Sequence, residues 1–405
     1  MKIVYISNEY PPDTGFGGIA TYTRAAAEAM TCLGHEVHVV CRSESGEPST
    51  LRHNGPTIHR IGPGTFPLPG GRAWYPLRKL CRACAPHFLV RMAWAKEAAT
   101  TIGKIGKQCH GFDIIEFPEC GAEGFYVARQ CKCKTVVRLH TPWDMVAKLN
   151  TMREPLADRL LLSHAESSTA RSAHLVTSPT HDLALTLQKK WRISSVKVFP
   201  NPISIAGYKL SEGKDWIYTG RVERRKGVHI LLAAYSNLCK SVDPPILRIV
   251  GRPFGPWDSH TGYGDYIEKC IRKFGLCEKV EWIRGTSHES ITNLLARSAV
   301  AIFPSLWENL SYSCLEAMAS GCAVVASACG GFSEIIKQGE NGILFPPEDS
   351  EELTRALYRL HKHEDARKKV GTTGRVWVAK HCDTSVVGPR MEAAYRSLIE
   401  GSRNG

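Results

Sequence analysis

Two glutamates, Glu308 and Glu316, stand eight positions apart in LWENLSYSCLEAMASG, residues 306–321. The apolar run Val300–Phe303 ahead of them reads as a buried strand, and Ser311–Ser320 reads as a helix closed by Gly321. Glu308 then lies in the connecting loop and Glu316 inside the helix. On one continuous helix that spacing would turn the second side chain about 80° from the first. With a loop between them, both carboxylates can face one crevice. A second stretch, YTGRVERRKGV at residues 218–228, places Arg221 and Lys226 in a loop after a strand. Fixed cations at a strand end suit a diphosphate, because a guanidinium binds two oxygens and an ammonium acts as a point charge. Arg224 and Arg225 read as solvated. His140, in VVRLHTPWD, ends another strand. Gly15, Gly17 and Gly18 of YPPDTGFGG lie between the first strand and the first helix, where free N–H groups could meet an anion. Bland readings stay open for each: a plain turn for the glycines, a solvated basic turn for the cations, a satisfied polar residue for His140. A helix-dipole role for the glutamates would contribute at most about 1 kcal/mol.

These residues need elements to hold them, and the chain alternates strand-like and helix-like segments in two series. Ile3–Ile6, Val37–Val40, Asp113–Glu116, Thr135–Leu139 and Leu175–Thr177 read as strands of the first series, and Ile19–Leu33 as a helix. The second series has strands at Trp216–Tyr218, Ile246–Val250, Val280–Ile283, Val300–Phe303 and Ala323–Ala326. Such alternation implies an α/β protein with two doubly wound, Rossmann-like parallel sheets facing across a cleft, and ligands outside the carboxyl ends of the strands. The boundary falls in the turn-rich segment 199–215, which gives domains 1–200 and 201–385. A helical tail, 386–405, returns to the first domain.

Composition narrows the classes. The chain has 405 residues, 43% apolar and 22% charged, which is globular and long enough for two domains. No apolar run is long enough to span a membrane, and MKIVYISNEYPP reads as a strand, not a signal peptide, so a cytoplasmic protein is expected. The fifteen cysteines are scattered and read as reduced thiols. Cys81/Cys84 and Cys131/Cys133 do not form a compact zinc pattern, and no metal site is expected. The net charge is +13. Between Gly70 and His110, Arg72, Arg78, Lys79, Arg82, Arg91, Lys96, Lys104 and Lys107 face Glu97 alone, interleaved with Trp74, Tyr75, Phe88 and Trp94. That stretch suits a membrane surface or an anionic acceptor, a solvated helix face being the alternative. A nucleic-acid-binding protein is the distant reading of the charge, and no recognition motif supports it.

PPDTGFGGIATYTRAAAEAMTCLGHEVHVV, GRVERRKGV and PSLWENLSYSCLEAMASGCAVVASACGGFSEII together resemble the family 4 glycosyltransferases of GT-B fold. The resemblance runs from about Lys2 to Pro347 in the expected order. It implies a retaining, metal-independent hexosyltransferase of polysaccharide or other glycan biosynthesis. Its donor would be a nucleotide-diphosphate sugar, with no further cofactor, and its acceptor a glycan, a lipid-linked glycan or a small molecule. It implies that Arg221 and Lys226 hold the donor diphosphate, and that Gly17 and Gly18 lie against the phosphates. Glu308 would contact the sugar hydroxyls, Glu316 the ribose and His140 the transferred sugar. Asn309, Leu310 and Ser311 would offer backbone N–H groups, where the family often has Phe-Gly. The absence of any Asp-x-Asp fits a site in which cations replace a metal ion. A nucleotide-sugar epimerase of the same fold is the alternative activity. The basic stretch 70–110 would face the acceptor side as a peripheral membrane contact on the inner face.

Overall fold

The computed structural model describes residues 1–401 apart from Asp13, Phe16 and Ser259. It contains two sheets. The first comprises β1 (Lys2–Ser7), β2 (Glu36–Arg42), β3 (Ser49–Arg52), β4 (Thr57–Ile61), β5 (Ile114–Pro118), β6 (Lys134–Arg138), β7 (Leu175–Ser178) and β8 (Lys197–Val198). Its order is β3-β4-β2-β1-β5-β6-β7-β8. All pairs are parallel except β3 with β4 at the edge. The second sheet comprises β9 (Asp215–Thr219), β10 (Leu247–Val250), β11 (Val280–Ile283), β12 (Ser298–Phe303), β13 (Ala323–Ser327) and β14 (Ile343–Phe345). It is wholly parallel in the order β11-β10-β9-β12-β13-β14, which is the doubly wound arrangement. Strands of such a sheet are buried on both faces, which is why β12 is a nearly unbroken apolar run with Val300, Ala301, Ile302 and Phe303 in the core.

The chain divides into two compact units: residues 1–145, 153–202 and 384–405, and residues 146–152 with 203–383. The boundary therefore differs from one at residue 200 in a short segment, 146–152, that leaves the first unit and joins the second.

Three helices of the first unit bear on its function: α1 (Gly18–Cys32), α2 (Tyr75–Cys84) and α3 (Pro86–Gln108). The C-terminal helix Thr384–Glu400 packs on α1. The contact includes a fully buried carboxylate, Glu116 of β5. Tyr22 of α1 donates to one of its oxygens at 2.6 Å, and Tyr395 of the C-terminal helix donates to the other. Burial raises the Glu116 carboxyl, while the two phenols and Arg138 oppose the rise. Along this helix, Glu392 pairs with His35 at 3.0 Å, and Gly388 leaves room for Ala29.

Candidate active site

In the second sheet the strand order reverses between β9 and β12, and in a doubly wound fold the connections leaving those two strands border the binding crevice. Here the two connections interlock. The loop after β9 ends in the short turn Arg224–Lys226 and then Gly227, whose φ is +69°. A Cβ on Gly227 would stand 1.8 Å from the Pro304 carbonyl oxygen, so only glycine lets the β9 loop lie against the β12 loop. The Leu306 N–H then donates to the Arg225 carbonyl at 2.8 Å.

This contact brings together Arg225, Lys226 and Glu308. Arg225 donates to Glu308 Oε2 at 3.2 Å, and Lys226 Nζ donates to the same oxygen. A further Arg225 nitrogen donates to Glu223 Oε1 at 2.7 Å. All of these side chains except Lys226, which keeps partial access, are buried from solvent. Burial alone would raise the Glu308 carboxyl; Lys226 and Arg225 overcome it and hold the group down at about 2. The Glu308 backbone is fixed from the other side. Gly331 N–H donates to its carbonyl at 3.0 Å, and a Cβ on Gly330 would lie 2.1 Å from that oxygen. The Gly-Gly pair at the start of the helix Gly330–Ile335 is thus the mould for the glutamate loop.

Arg225 corrects the sequence reading. It is no solvated member of a basic run; it is the buried guanidinium between two carboxylates. Arg221, by contrast, is exposed and lays its guanidinium 5.1 Å from the Phe254 ring centroid. Glu316 lies in the helix Tyr312–Ala319, where Tyr208 donates to its Oε1 at 3.2 Å and His288 stands 3.7 Å away. Asn309, Leu310 and Ser311 are buried, and Ser311 is the N-cap of that helix.

Asn150 is a residue that sequence reading missed. It belongs to the short segment 146–152. It is buried, donates to Glu223 Oε2 at 3.0 Å and accepts the Arg225 N–H at 3.0 Å. One amide therefore fixes both the side chain of Glu223 and the backbone of Arg225. No local pattern signals it, because its partners lie more than 70 positions away.

In the first unit the order reverses between β1 and β5. Gly17 is the N-cap of α1 and Gly18 its first residue. The Glu9 side chain lies across this loop: a Cβ on Gly15, at φ +74°, would stand 2.3 Å from Glu9 Cβ. His140 follows β6, packs edge-on against Tyr22 at 5.3 Å and donates its backbone N–H to Glu119 at 2.7 Å. Burial, and then the Arg138 charge, push His140 down to about 3, so its ring is neutral at pH 7. The same unit holds buried carboxyls that the sequence reading did not single out. Glu123 accepts from Asn8 N–H at 2.8 Å, and Glu166 accepts from Gly121 and Trp143 N–H. Burial pushes Glu123 and Glu166 up to about 8. Gly121 follows β5 and Trp143 follows β6, so Glu166 ties together the loops at the carboxyl ends of two neighbouring strands.

Residues 17–202 match the model of the glycosyl transferase 4-like domain, and residues 206–377 match glycosyl transferases group 1. Among curated proteins, the MMP alpha-(1->4)-mannosyltransferase of Mycolicibacterium hassiacum is 26% identical over 98% of both chains. A glycogen synthase of Mycobacterium tuberculosis is 23% identical over 100% of this chain and 96% of its own length. Among solved structures, sucrose-phosphate synthase from Thermosynechococcus elongatus superposes with a TM-score of 0.80 at 20% identity, covering 99% of each chain. Anabaena Alr3699/HepE, in complex with UDP and glucose, gives a TM-score of 0.72 at 18% identity over 98% of this chain and 100% of its own.

Replacing Asn150 by Ala leaves the buried Glu223 carboxylate and the Arg225 N–H without that partner, a loss of about 1.5–3 kcal/mol for a charged hydrogen bond. Steady-state kinetics should show kcat lowered on the order of tenfold or more. Wild-type kcat in Asn150→Ala would mean that the amide does not set the loop.

Proposed function

The chain belongs to the family 4 glycosyltransferases of GT-B fold, and from that premise we propose a retaining transfer of a hexose from a nucleotide-diphosphate donor. The observation that carries the reading is the meeting of Lys226, Arg225 and Glu308 where the strand order reverses in the second unit. A carboxylate accepts two hydrogen bonds from vicinal hydroxyls, and a nucleotide sugar carries one such diol on its sugar and another on its ribose. Glu308 takes the first and Glu316 the second. As the sugar–phosphate bond breaks, negative charge grows on the leaving diphosphate. Arg221 and Lys226 meet that charge, a stabilisation that typically lowers a barrier by several kcal/mol. Arg225 acts differently. It stays on Glu308 and Glu223, so Lys226 can turn to phosphate without leaving Glu308 as a lone buried charge. Gly17 and Gly18 at the start of α1 offer N–H groups to phosphate, and the backbone of Asn309, Leu310 and Ser311 does the same beside Glu308. The neutral His140 stands by the transferred sugar. The leaving phosphate takes the acceptor proton in a front-face attack. The full-length relatives are named a mannosyltransferase and a glycogen synthase, which favours transfer over epimerisation.

For the acceptor, α2 supports a membrane-borne or lipid-linked glycan. Among the described residues no helix is long and apolar enough to cross a membrane. None of the residues of α2 is buried. Trp74, just ahead of it, and Leu77, Leu80, Cys81 and Cys84 fall on one arc of the helix, while Lys79 and Arg82 fall on the other. Trp74, Tyr75 and Leu80 remain 49%, 62% and 58% exposed. Trp94 does not share this role, since it lies in the core of the unit. Arg78 is also withdrawn, because it donates to the Pro69 and Gly71 carbonyls at 2.8 and 2.9 Å.

Lys226→Ala should lower turnover at least about a hundredfold, or ~2.7 kcal/mol. The melting transition should stay cooperative, because Arg225 still neutralises Glu308. A folded variant with wild-type turnover would remove the assigned role. Transfer should survive EDTA; a rate lost to EDTA and restored by Mg²⁺ or Mn²⁺ would overturn the two-cation site. Vesicle co-sedimentation tests α2. Each Lys or Arg near an anionic surface contributes about 1 kcal/mol, so Lys79→Glu with Arg82→Glu, which removes two such charges and adds two of the opposite sign, should weaken binding to anionic vesicles by at least about thirtyfold. Equal binding of wild type and double variant, or equal binding to neutral vesicles, points to a soluble acceptor.

A further inference from the structure

At the opposite end of the first sheet, away from the carboxyl ends of its strands, three metal-ligating side chains converge. Glu36 and His38 sit on β2 two positions apart, hence on one face of the strand. Cys109 closes the C-terminus of α3, with its N–H on the Ile105 carbonyl at 2.9 Å. His38 Nε2 is 3.1 Å from Glu36 Oε1 and 4.0 Å from Cys109 Sγ, and the three ligand atoms all lie within 4.8 Å of one another. We propose that Glu36, His38 and Cys109 bind one zinc ion, with water as the fourth ligand, as a structural clamp between β2 and the end of α3.

Three features carry the assignment. The first is size. Zinc bonds of 2.0–2.3 Å at tetrahedral angles put ligand atoms about 3.3–3.8 Å apart. His38 already meets that spacing to within a few tenths of an ångström on both sides, and Glu36 is exposed enough to adjust.

The second is the donor set. A carboxylate oxygen, an imidazole nitrogen and a thiolate sulfur together suit zinc better than the hard magnesium or calcium ions, which take oxygen ligands. Binding is balanced without redox chemistry: Zn–O, Zn–N and Zn–S bonds form, the Cys109 S–H bond breaks, and its proton goes to solvent.

The third is the support behind the histidine. His38 Nδ1 lies 3.0 Å from His59 Nε2, and His59 Nδ1 lies 3.2 Å from the Thr50 hydroxyl. A hydroxyl can accept as well as donate. The chain can therefore run with His59 donating to Thr50 and His38 Nδ1–H donating to His59, which leaves the His38 Nε2 lone pair aimed at Glu36 and Cys109. An imidazole whose second nitrogen is fixed by a hydrogen bond is the usual form of a metal-bound histidine. The ring is also held by stacking on His59 at 5.3 Å and by the Phe112 edge at 5.6 Å. Lys2 fixes the Cys109 backbone by donating to its carbonyl. Lying outside the transfer site, such an ion would fix the end of α3 and take no part in the reaction.

The test uses the full chain, stripped of metal by a chelator under reducing conditions and titrated with Zn²⁺ or Co²⁺. Wild type should take up one tight equivalent, Co²⁺ should show the thiolate charge-transfer absorption and strong visible bands of a four-coordinate site, and Zn²⁺ should raise Tm. Cys109→Ser should lose the charge-transfer band, and Glu36→Gln, a change at an exposed side chain, should weaken zinc binding at least about tenfold. No uptake by wild type, or uptake unchanged in both variants, would overturn the site; should Cys109→Ser fail to fold, Glu36→Gln alone decides.

Discussion

A carboxylate sealed from water keeps its charge only where cations stand against it, and Glu308 stands against two. Much of the second unit follows from that requirement. Arg225 can reach Glu308 only if the loop after β9 folds back along the loop after β12, and it remains in place because Glu223 and the Asn150 amide hold it from behind. With its carboxyl held down at about 2 by Lys226 and Arg225, Glu308 is ionised near neutral pH, and charge holds the loop there. Removing one cation leaves the other. That redundancy separates the structural part of the cluster, Arg225, from the part with partial access to solvent, Lys226.

Glycine makes the approach possible. At Gly227 and Gly330 the backbone of one loop comes so near a carbonyl of another that a side chain would fill the space. Both also have positive φ, 69° and 46°, where a Cβ carries strain. The same economy recurs at Gly251, whose Cβ would stand 1.8 Å from the Gly220 carbonyl where β9 and β10 end. The carboxyl edge of the second sheet is thus built from backbone packed on backbone. Side chains are left free to carry charge, and the strand order decides which loops meet.

The alternation of strand and helix is legible in the chain because parallel strands buried on both faces are continuous apolar runs, as in Val300–Phe303. Glu308 and Glu316 are legible because a strand, a loop and a helix are compressed into one short stretch, so spacing alone separates their settings. Arg225 is misread for a physical reason. In a run of Glu-Arg-Arg-Lys, composition suggests solvent, and only the turn Arg224–Lys226 decides which arginine points inward. Asn150 and Cys109 are illegible because their meaning comes from partners distant in the chain: Glu223 and Arg225 for the amide, Glu36 and His38 for the thiol. Trp94 looks like its neighbours Trp74 and Tyr75 in composition, yet it falls on the inner face of α3 while they precede or open a helix with no buried residue.

The helix Thr384–Glu400 is the last element described, yet it completes the unit that the first strand begins. During synthesis, β5 leaves the ribosome with Glu116 long before Tyr395 exists to cap its second oxygen. Until then the first unit has an under-satisfied carboxylate at its centre and an uncovered face on α1 where the last helix packs. The second unit lies in the chain between these two halves of one core. It can close around its own sheet while the first unit waits, and the helix Thr384–Glu400 is the piece that lets the amino-terminal unit finish folding. A chain cut short before residue 384 would therefore lose the integrity of the unit farthest from the cut in sequence.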